Sequence, residues 1–332
     1  MASSRPEHRE HPPPWFTAER PRIGISACLL GKPVRYDGGH KRDPFLTETF
    51  GQFVEWVPVC PEVELGLGVP RPTLRLEADE TGVRLRVPST GADLTAAMQR
   101  WADKKLRALA GEQLSGFVVK KDSPSCGMER VRVYQGSGAP RRGGTGLFTA
   151  ALRAAWPLLP VEEEGRLHDP RLRENFVERV FAYQRLQRMF RGRWSVGQVV
   201  AFHTAHKLQL LAHSPRLYRE LGQLVAHVRE FSREEFRARY AEQFMRALQT
   251  LATPARHTNV LQHMMGYLRE HIDGEARAEL VQLIGEYRRG LVPLVVPLTL
   301  LNHFVRRHRI AYLLGQTYLE PHPRELMLRN HV

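Results

Sequence analysis

The apolar positions of this chain follow two different rhythms. Between residues 21 and 157 they gather in short, often β-branched runs, as in PRIGISAC, FVEWVPVC and GFVVKK, each followed by turn residues. That is the pattern of buried strands. The stretch LRLEADETGVRLRV alternates about Glu80-Thr81-Gly82 and predicts a hairpin, and residues 95–111 show helical spacing. Short strands alternating with such a helix predict an α/β unit on a mostly parallel sheet, spanning 21–157. From residue 171 onward the period is helical almost throughout, as in LRENFVERVFAYQRLQRMF and VGQVVAFHTAHKLQLLAH. The second unit, 171–332, is expected to be all helical. Between the two, PLLPVEEEGRLHDP carries three prolines and an acidic run. Residues 158–170 therefore read as a linker between separately folding units.

A length of 332 residues with 42% hydrophobic content suffices for two ordinary cores. The opening MASSRPEHREHPPPWF lacks the apolar middle of a secretory signal, and the longest apolar stretch, 291–301, holds two prolines. A chain outside the membrane is expected. Three cysteines are too few, and odd in number, for a disulfide framework. The expected compartment is a reducing cytoplasm with the thiols free for chemistry. Net charge is +14, with an excess of +6 over residues 1–160 and +8 over the rest. No single tail carries it, and a polyanionic partner is implied. Arg outnumbers Lys 42 to 7, which codon bias explains as readily as phosphate recognition, but codon bias does not explain the excess of base over acid.

The candidate chemistry lies in the cysteines. Cys28, Cys60 and Cys126 each follow an apolar run, and in open α/β sheets the carboxyl ends of the strands form the ligand-binding edge. Their separations, 32 and 66 positions, fit neither paired zinc ligands nor the three-cysteine loop of radical-type clusters. Three separate thiolates at one edge suit a four-iron cluster held by three of its irons, the fourth left open as a Lewis acid. Three buried small hydrophobes are the plainer reading of spacing alone. The flanking residues favour chemistry: Glu62 lies two positions after Cys60, and Ser123 and Ser125 lie just before Cys126. An acid and two hydroxyls are thereby expected within reach of the sulfurs. The glycine cluster RRGGTGLF, 141–148, is a weak candidate phosphate cradle and more simply a turn.

The strings SACLLGKPVRYDGG, PVCPEVELGLGVPR and KKDSPSCG resemble, in order, the three signature segments of the thiouracil desulfidase family, and together cover most of residues 21–157. The resemblance implies a 4Fe-4S cluster on Cys28, Cys60 and Cys126, with the thiocarbonyl sulfur of a thiopyrimidine on the open iron. It implies Glu62 and Ser123 as the proton-handling pair, with Ser125 in the same turn, and Ser125, Arg35, Tyr36 and Asp37 as contacts to the base. Water deprotonated with help from Glu62 would attack the carbon, and sulfur would leave as hydrosulfide.

The segments HTAHKLQLLAHSPRLYRELG, TNVLQHMMGYLR and PLTLLNHFVRRHRIAYLLGQTYLEPHPREL resemble a widespread bacterial domain of unknown function. It is found fused behind the desulfidase domain in proteins proposed to act on 4-thiouridine in tRNA. The implied partner is tRNA containing 4-thiouridine. His203, His206, Lys207, His213 and Arg219 form a basic band, of which His206, Lys207, His213 and Arg219 are the candidate RNA contacts. A solvated helix face with one or two core histidines is the plainer alternative. The expected activity is non-redox tRNA 4-thiouridine desulfuration on a base turned out of its stack. A desulfidase of free thiouracil or thionucleosides, and a non-catalytic RNA-binding protein with a structural metal, stand as alternatives.

Overall fold

A computed structural model of the protein describes residues 19–80, 82–136 and 138–331. Thr81 at the expected hairpin tip and the N-terminal segment searched for a signal lie outside the described residues. The first region contains the strands β1 (Arg22–Ser26), β2 (Glu55–Val59), β3 (Arg75–Asp79), β4 (Gly82–Arg86), β5 (Gly116–Val119), β6 (Val131–Tyr134), β7 (Arg141–Gly144) and β8 (Val161–Glu163). Among them run the helices α1 (Pro61–Glu64), α2 (Thr95–Leu109) and α3 (Leu147–Ala155). One sheet has the order β2-β1-β5-β8 and is parallel throughout. The other, β4-β3-β6-β7, is mixed: the expected hairpin β3/β4 is antiparallel, β6 joins β3 parallel, and β7 closes antiparallel on β6.

The period-two rule decides what each face of the parallel sheet buries. Ile23, Ile25 and Val118 point to one side, into a cluster with Phe176, Val177 and Val180. Val59, Phe117 and Val119 point to the other, against Ala102 and Leu106 of α2 and Phe148 and Leu152 of α3. Each large side chain so buried contributes about 1.5–3 kcal/mol. Gly24 pairs with Phe117 across β1 and β5, and a Cβ on Gly24 would stand 2.2 Å from the Phe117 ring. Gly24→Ala is expected to lower stability by about 1–3 kcal/mol through overpacking, seen as a lower denaturant midpoint at unchanged slope.

The second region is helical, as its period predicted: α4 (Pro170–Met189), α5 (Val196–Ala205), α6 (Lys207–His213), α7 (Pro215–Ala226), α8 (Arg233–Gln249), α9 (Pro254–Gly266), α10 (Gly274–Arg288), α11 (Val295–Arg307) and α12 (Ala311–Leu314). Its helices begin where capping chemistry demands, with Ser214, Ser232, Thr253 and Asp273 each accepting a first-turn N–H. Among the described residues no helix is long and apolar enough to cross a membrane.

Residues 158–170 are not a linker. Val161–Glu163 is the outer strand of the parallel sheet, paired with β5 and buried. Asp169 then caps α4 through the N–H groups of Arg171 and Leu172, with Pro170 at the first helical position. The prolines therefore bound a strand and start a helix rather than marking a flexible connection. Phe176, Val177 and Val180 of α4 cover one face of the sheet, and Leu326 and Leu328 join the same cluster. The two regions share this core.

Candidate metal centre

Parallel pairing of β2, β1 and β5 as neighbours brings their carboxyl ends side by side. Cys28 lies in the 3₁₀ turn Ala27–Leu30 just past β1, Cys60 directly follows β2 and stands immediately before α1, and Cys126 sits in the loop after β5. All three line one cavity of about 490 Å³, together with Ser26, Glu62, Arg71, Lys120 and Ser123. No cysteine is in a disulfide.

Burial pushes the Cys28 thiol up to about 11, against the pull of Lys120 and Arg35, and Cys60 adds to the rise. Burial likewise raises Cys60, with the N–H groups of Val63 and Glu62 opposing it. Cys126 is raised furthest by burial, despite a hydrogen bond from Ser26, with Glu62, Cys28 and Cys60 all adding to the shift. The three thiols thus feel one another's charge. Among the described residues no three His, Cys, Asp or Glu side chains are placed to hold a single metal ion. Thiolates on three different irons of a cube stand farther apart than three sharing one ion, so separate cysteines around one cavity fit a cluster. Because each thiol must lose its proton to bind metal, iron uptake is expected to release protons and to strengthen as pH rises toward the raised thiol values. Proton release during anaerobic reconstitution in weak buffer measures this; uptake that weakens with rising pH contradicts it.

The loop carrying Cys126 is held from below by the acidic run of β8. Glu163 accepts the N–H of Met128 at 2.7 Å and of Glu129 at 3.3 Å. Glu164 pairs with the Lys120 ammonium and accepts the N–H of Lys121 at 2.7 Å. Lys120 N–H also donates to Ser26 Oγ, 3.0 Å. The glycine cluster at 141–148 proves to be β7 and the turn into α3 rather than a phosphate cradle. A Cβ on Gly146 would lie 2.5–2.7 Å from the backbone of Ser125 and Cys126, so glycine there lets α3 press against the cysteine loop.

Glu62 is fixed by two partners. Arg71, its side chain buried, donates Nε and Nη2 to Oε2 at 2.8 and 2.7 Å, and Ser125 Oγ donates to Oε1 at 3.0 Å. Arg71 also donates to the carbonyls of Gly68 and Val34, tying the Cys28 and Cys60 loops together. The serine bonded to Glu62 is therefore Ser125, fully buried, and not Ser123. Ser123 lines the cavity, and its Oγ accepts the N–H of Cys126 at 3.1 Å. Of the expected base contacts, Arg35 and Tyr36 line the cavity, while Ser125 and Asp37 do not. Asp37 instead accepts the N–H of Gly39 and steadies Arg35 at 3.7 Å. Sequence reasoning missed Arg71 and Lys120, and it placed Glu163 and Glu164 in a linker. Arg71 and Lys120 lie inside the signature strings, the one signal that could have raised them.

The expected RNA band dissolves in the structure. His206 is fully buried, bonded to the Phe202 carbonyl and stacked on the Phe202 ring, and burial pushes it down to about 3. His213 is buried between Glu178 Oε2, 3.1 Å, and the Thr250 carbonyl. Burial opposes charge on His213, but Glu178, the Thr250 carbonyl and Glu174 together hold the imidazole above its usual range. Neither histidine reaches a phosphate. Lys207 is half-buried over the Tyr312 ring, and Arg219 is exposed.

Residues 23–164 match the family model described as 2-thiouracil desulfurase, and residues 207–323 match one described as a protein of unknown function, DUF1722. The chain is 37% identical over 161 residues to uncharacterized protein YbgA of Escherichia coli (strain K12), covering 48% of this chain and 95% of YbgA. It is 28% identical over 139 residues to uncharacterized protein YbbK of Bacillus subtilis (strain 168), covering 40% and 90%. A solved 4Fe-4S-dependent thiouracil desulfidase, TudS, is 32% identical, with coverage of 48% of this chain and 100% of that one and a TM-score of 0.39.

Proposed function

We propose, from the premise that this chain belongs to the 2-thiouracil desulfurase family through residues 23–164, that it removes sulfur from 4-thiouridine in tRNA without redox chemistry. Thiouridine and water give uridine and hydrogen sulfide, and Cys28, Cys60 and Cys126 hold a 4Fe-4S cluster. When bound, that cluster supplies an iron with an open position, a Lewis acid for a thiocarbonyl sulfur. Glu62 takes the proton of the attacking water, with its carboxylate oriented by Arg71 and Ser125. Ser123, whose oxygen already accepts the Cys126 N–H, keeps its own proton free to donate toward the departing sulfur.

Support for RNA over a free base comes from the charge of the cavity. Arg71, Lys120 and Arg35 are engaged by Glu62, Glu164 and Asp37, yet Lys41, Lys121 and Arg132 also line it, and the further carboxylate there, Asp122, stands 3.8 Å from Arg142. Lys41, Lys121 and Arg132 are exposed. A free thiopyrimidine carries no phosphate for them to meet, whereas a nucleotide in a strand does. Anaerobic incubation with bulk bacterial tRNA is expected to remove 4-thiouridine and release an equal amount of sulfide. Intact 4-thiouridine in tRNA, with free thiouracil consumed, overturns the substrate and leaves the chemistry standing.

A further inference from the structure

The positive excess of the second region is carried by Arg and Lys and not by the buried His206 and His213. A cavity of about 630 Å³ opens between α11 and the C-terminal segment 319–330, a size suited to a bound nucleotide. One wall is the outer face of α11, where Thr299, His303 and Arg306 recur at helical spacing. Leu301 and Val305 anchor the opposite face of that helix in the core. The facing wall supplies Arg324, and Arg307 and Arg324 are both exposed. The one carboxylate in the lining, Glu320, is engaged by Arg306 at 2.5 Å, and Glu325, outside the lining, stands 3.8 Å from Arg324 with both side chains in solvent.

Met327 is an independent second feature of the same cavity. Leu326 and Leu328 are buried in the cluster that also holds Cys28 and Leu29. Met327, between them, adopts left-handed backbone with φ 50, which is uncommon for any residue but glycine. Its side chain is left 66% exposed at the cavity. Nucleic-acid-binding proteins set apolar side chains, Met among them, against bases while cations follow the phosphates, and an exposed Met beside arginines presents both.

We propose that this cavity grips the RNA substrate, with Arg307 and Arg324 on the phosphates and Met327 against a base. The proposal rests on the reading that tRNA is the substrate. Because Leu326 and Leu328 share a core with the Cys28 turn, RNA held here is fixed in position relative to the cysteine cavity.

The test is equilibrium binding of a labelled, unthiolated tRNA transcript over a salt series, alongside turnover of free 4-thiouridine nucleoside. The variants are Arg307→Gln/Arg324→Gln and Met327→Gly. The double variant is expected to bind at least tenfold more weakly and to flatten the log–log salt slope by about 1.4–1.8, two contacts at about 0.7–0.9 each. Met327→Gly is expected to weaken binding several-fold while preserving or raising the thermal midpoint, because glycine relaxes the left-handed backbone; it decides the matter if the double variant folds poorly. Nucleoside turnover stays at the parent rate in both. Unchanged tRNA affinity and salt slope in the variants, with the parent protein binding and desulfurating tRNA, overturn this cavity and leave the substrate reading intact. A parent protein that consumes the nucleoside but neither binds nor desulfurates tRNA overturns both.

Discussion

Cys126→Ala is expected to lose bound iron and all desulfurase turnover while keeping its fold. Cys126 is 7% exposed, and its backbone is pinned by Ser123 Oγ at 3.1 Å and by the Thr149 hydroxyl at 2.5 Å. Those bonds survive removal of the side-chain sulfur. Trimming one sulfur from this site costs stability on the order of 1 kcal/mol, whereas the cavity lining offers no fourth cysteine to replace it. Serine at the same position offers a hard oxygen and does no better. The same holds for Cys28 and Cys60, since all three face one cavity. The check is iron content and visible absorbance after anaerobic reconstitution, with circular dichroism to confirm folding. Full iron and full turnover in any one alanine variant rules out that cysteine as a ligand.

Glu62→Gln is expected to keep its iron and slow desulfuration about 100-fold or more, the usual contribution of a positioned acid or base. Gln retains the shape and a carbonyl oxygen for Ser125 or Arg71, so the loop geometry around Cys60 is preserved. What disappears is the group that accepts a proton. Arg71→Met provides the contrast, because it leaves Glu62 present but held by Ser125 alone. It also removes the Arg71 bonds to the Val34 and Gly68 carbonyls, so it should lower thermal stability as well as rate. Iron lost from Glu62→Gln would place that residue among the groups supporting the cluster rather than handling protons.

Much of this was legible because local rules and global fold agree in the first region. Apolar runs ending in Cys28, Cys60 and near Cys126 became three neighbouring parallel strands, and the acid two residues past Cys60 reached the same cavity. The acidic run 162–164 reads as a linker because a strand of Val and Glu between prolines has no apolar alternation, and its burial depends on partners far away in sequence. Glu163 finds the amides of residues 128 and 129, and Glu164 finds Lys120. His206, between α5 and α6, and His213 of α6 mislead for the opposite reason. A basic stripe on a helix wheel looks solvated, but α4 and α8 supply the Glu178 carboxylate and the Phe244 ring that enclose His213 and His206.

By itself the sequence determined what depends on short range: the period of each element, the caps that start the helices, the turns after the strands, and the type and order of the three cysteines. Periodicity and capping act within a few residues, so they are written in the string. Only the tertiary structure decided which serine bonds Glu62, that Arg71 holds the Cys28 and Cys60 loops together, and that α4 and residues 326–328 complete the core under the cysteine sheet. These contacts join residues tens to hundreds of positions apart, and hydrogen bonds and burial depend on distance in space. No local pattern encodes them.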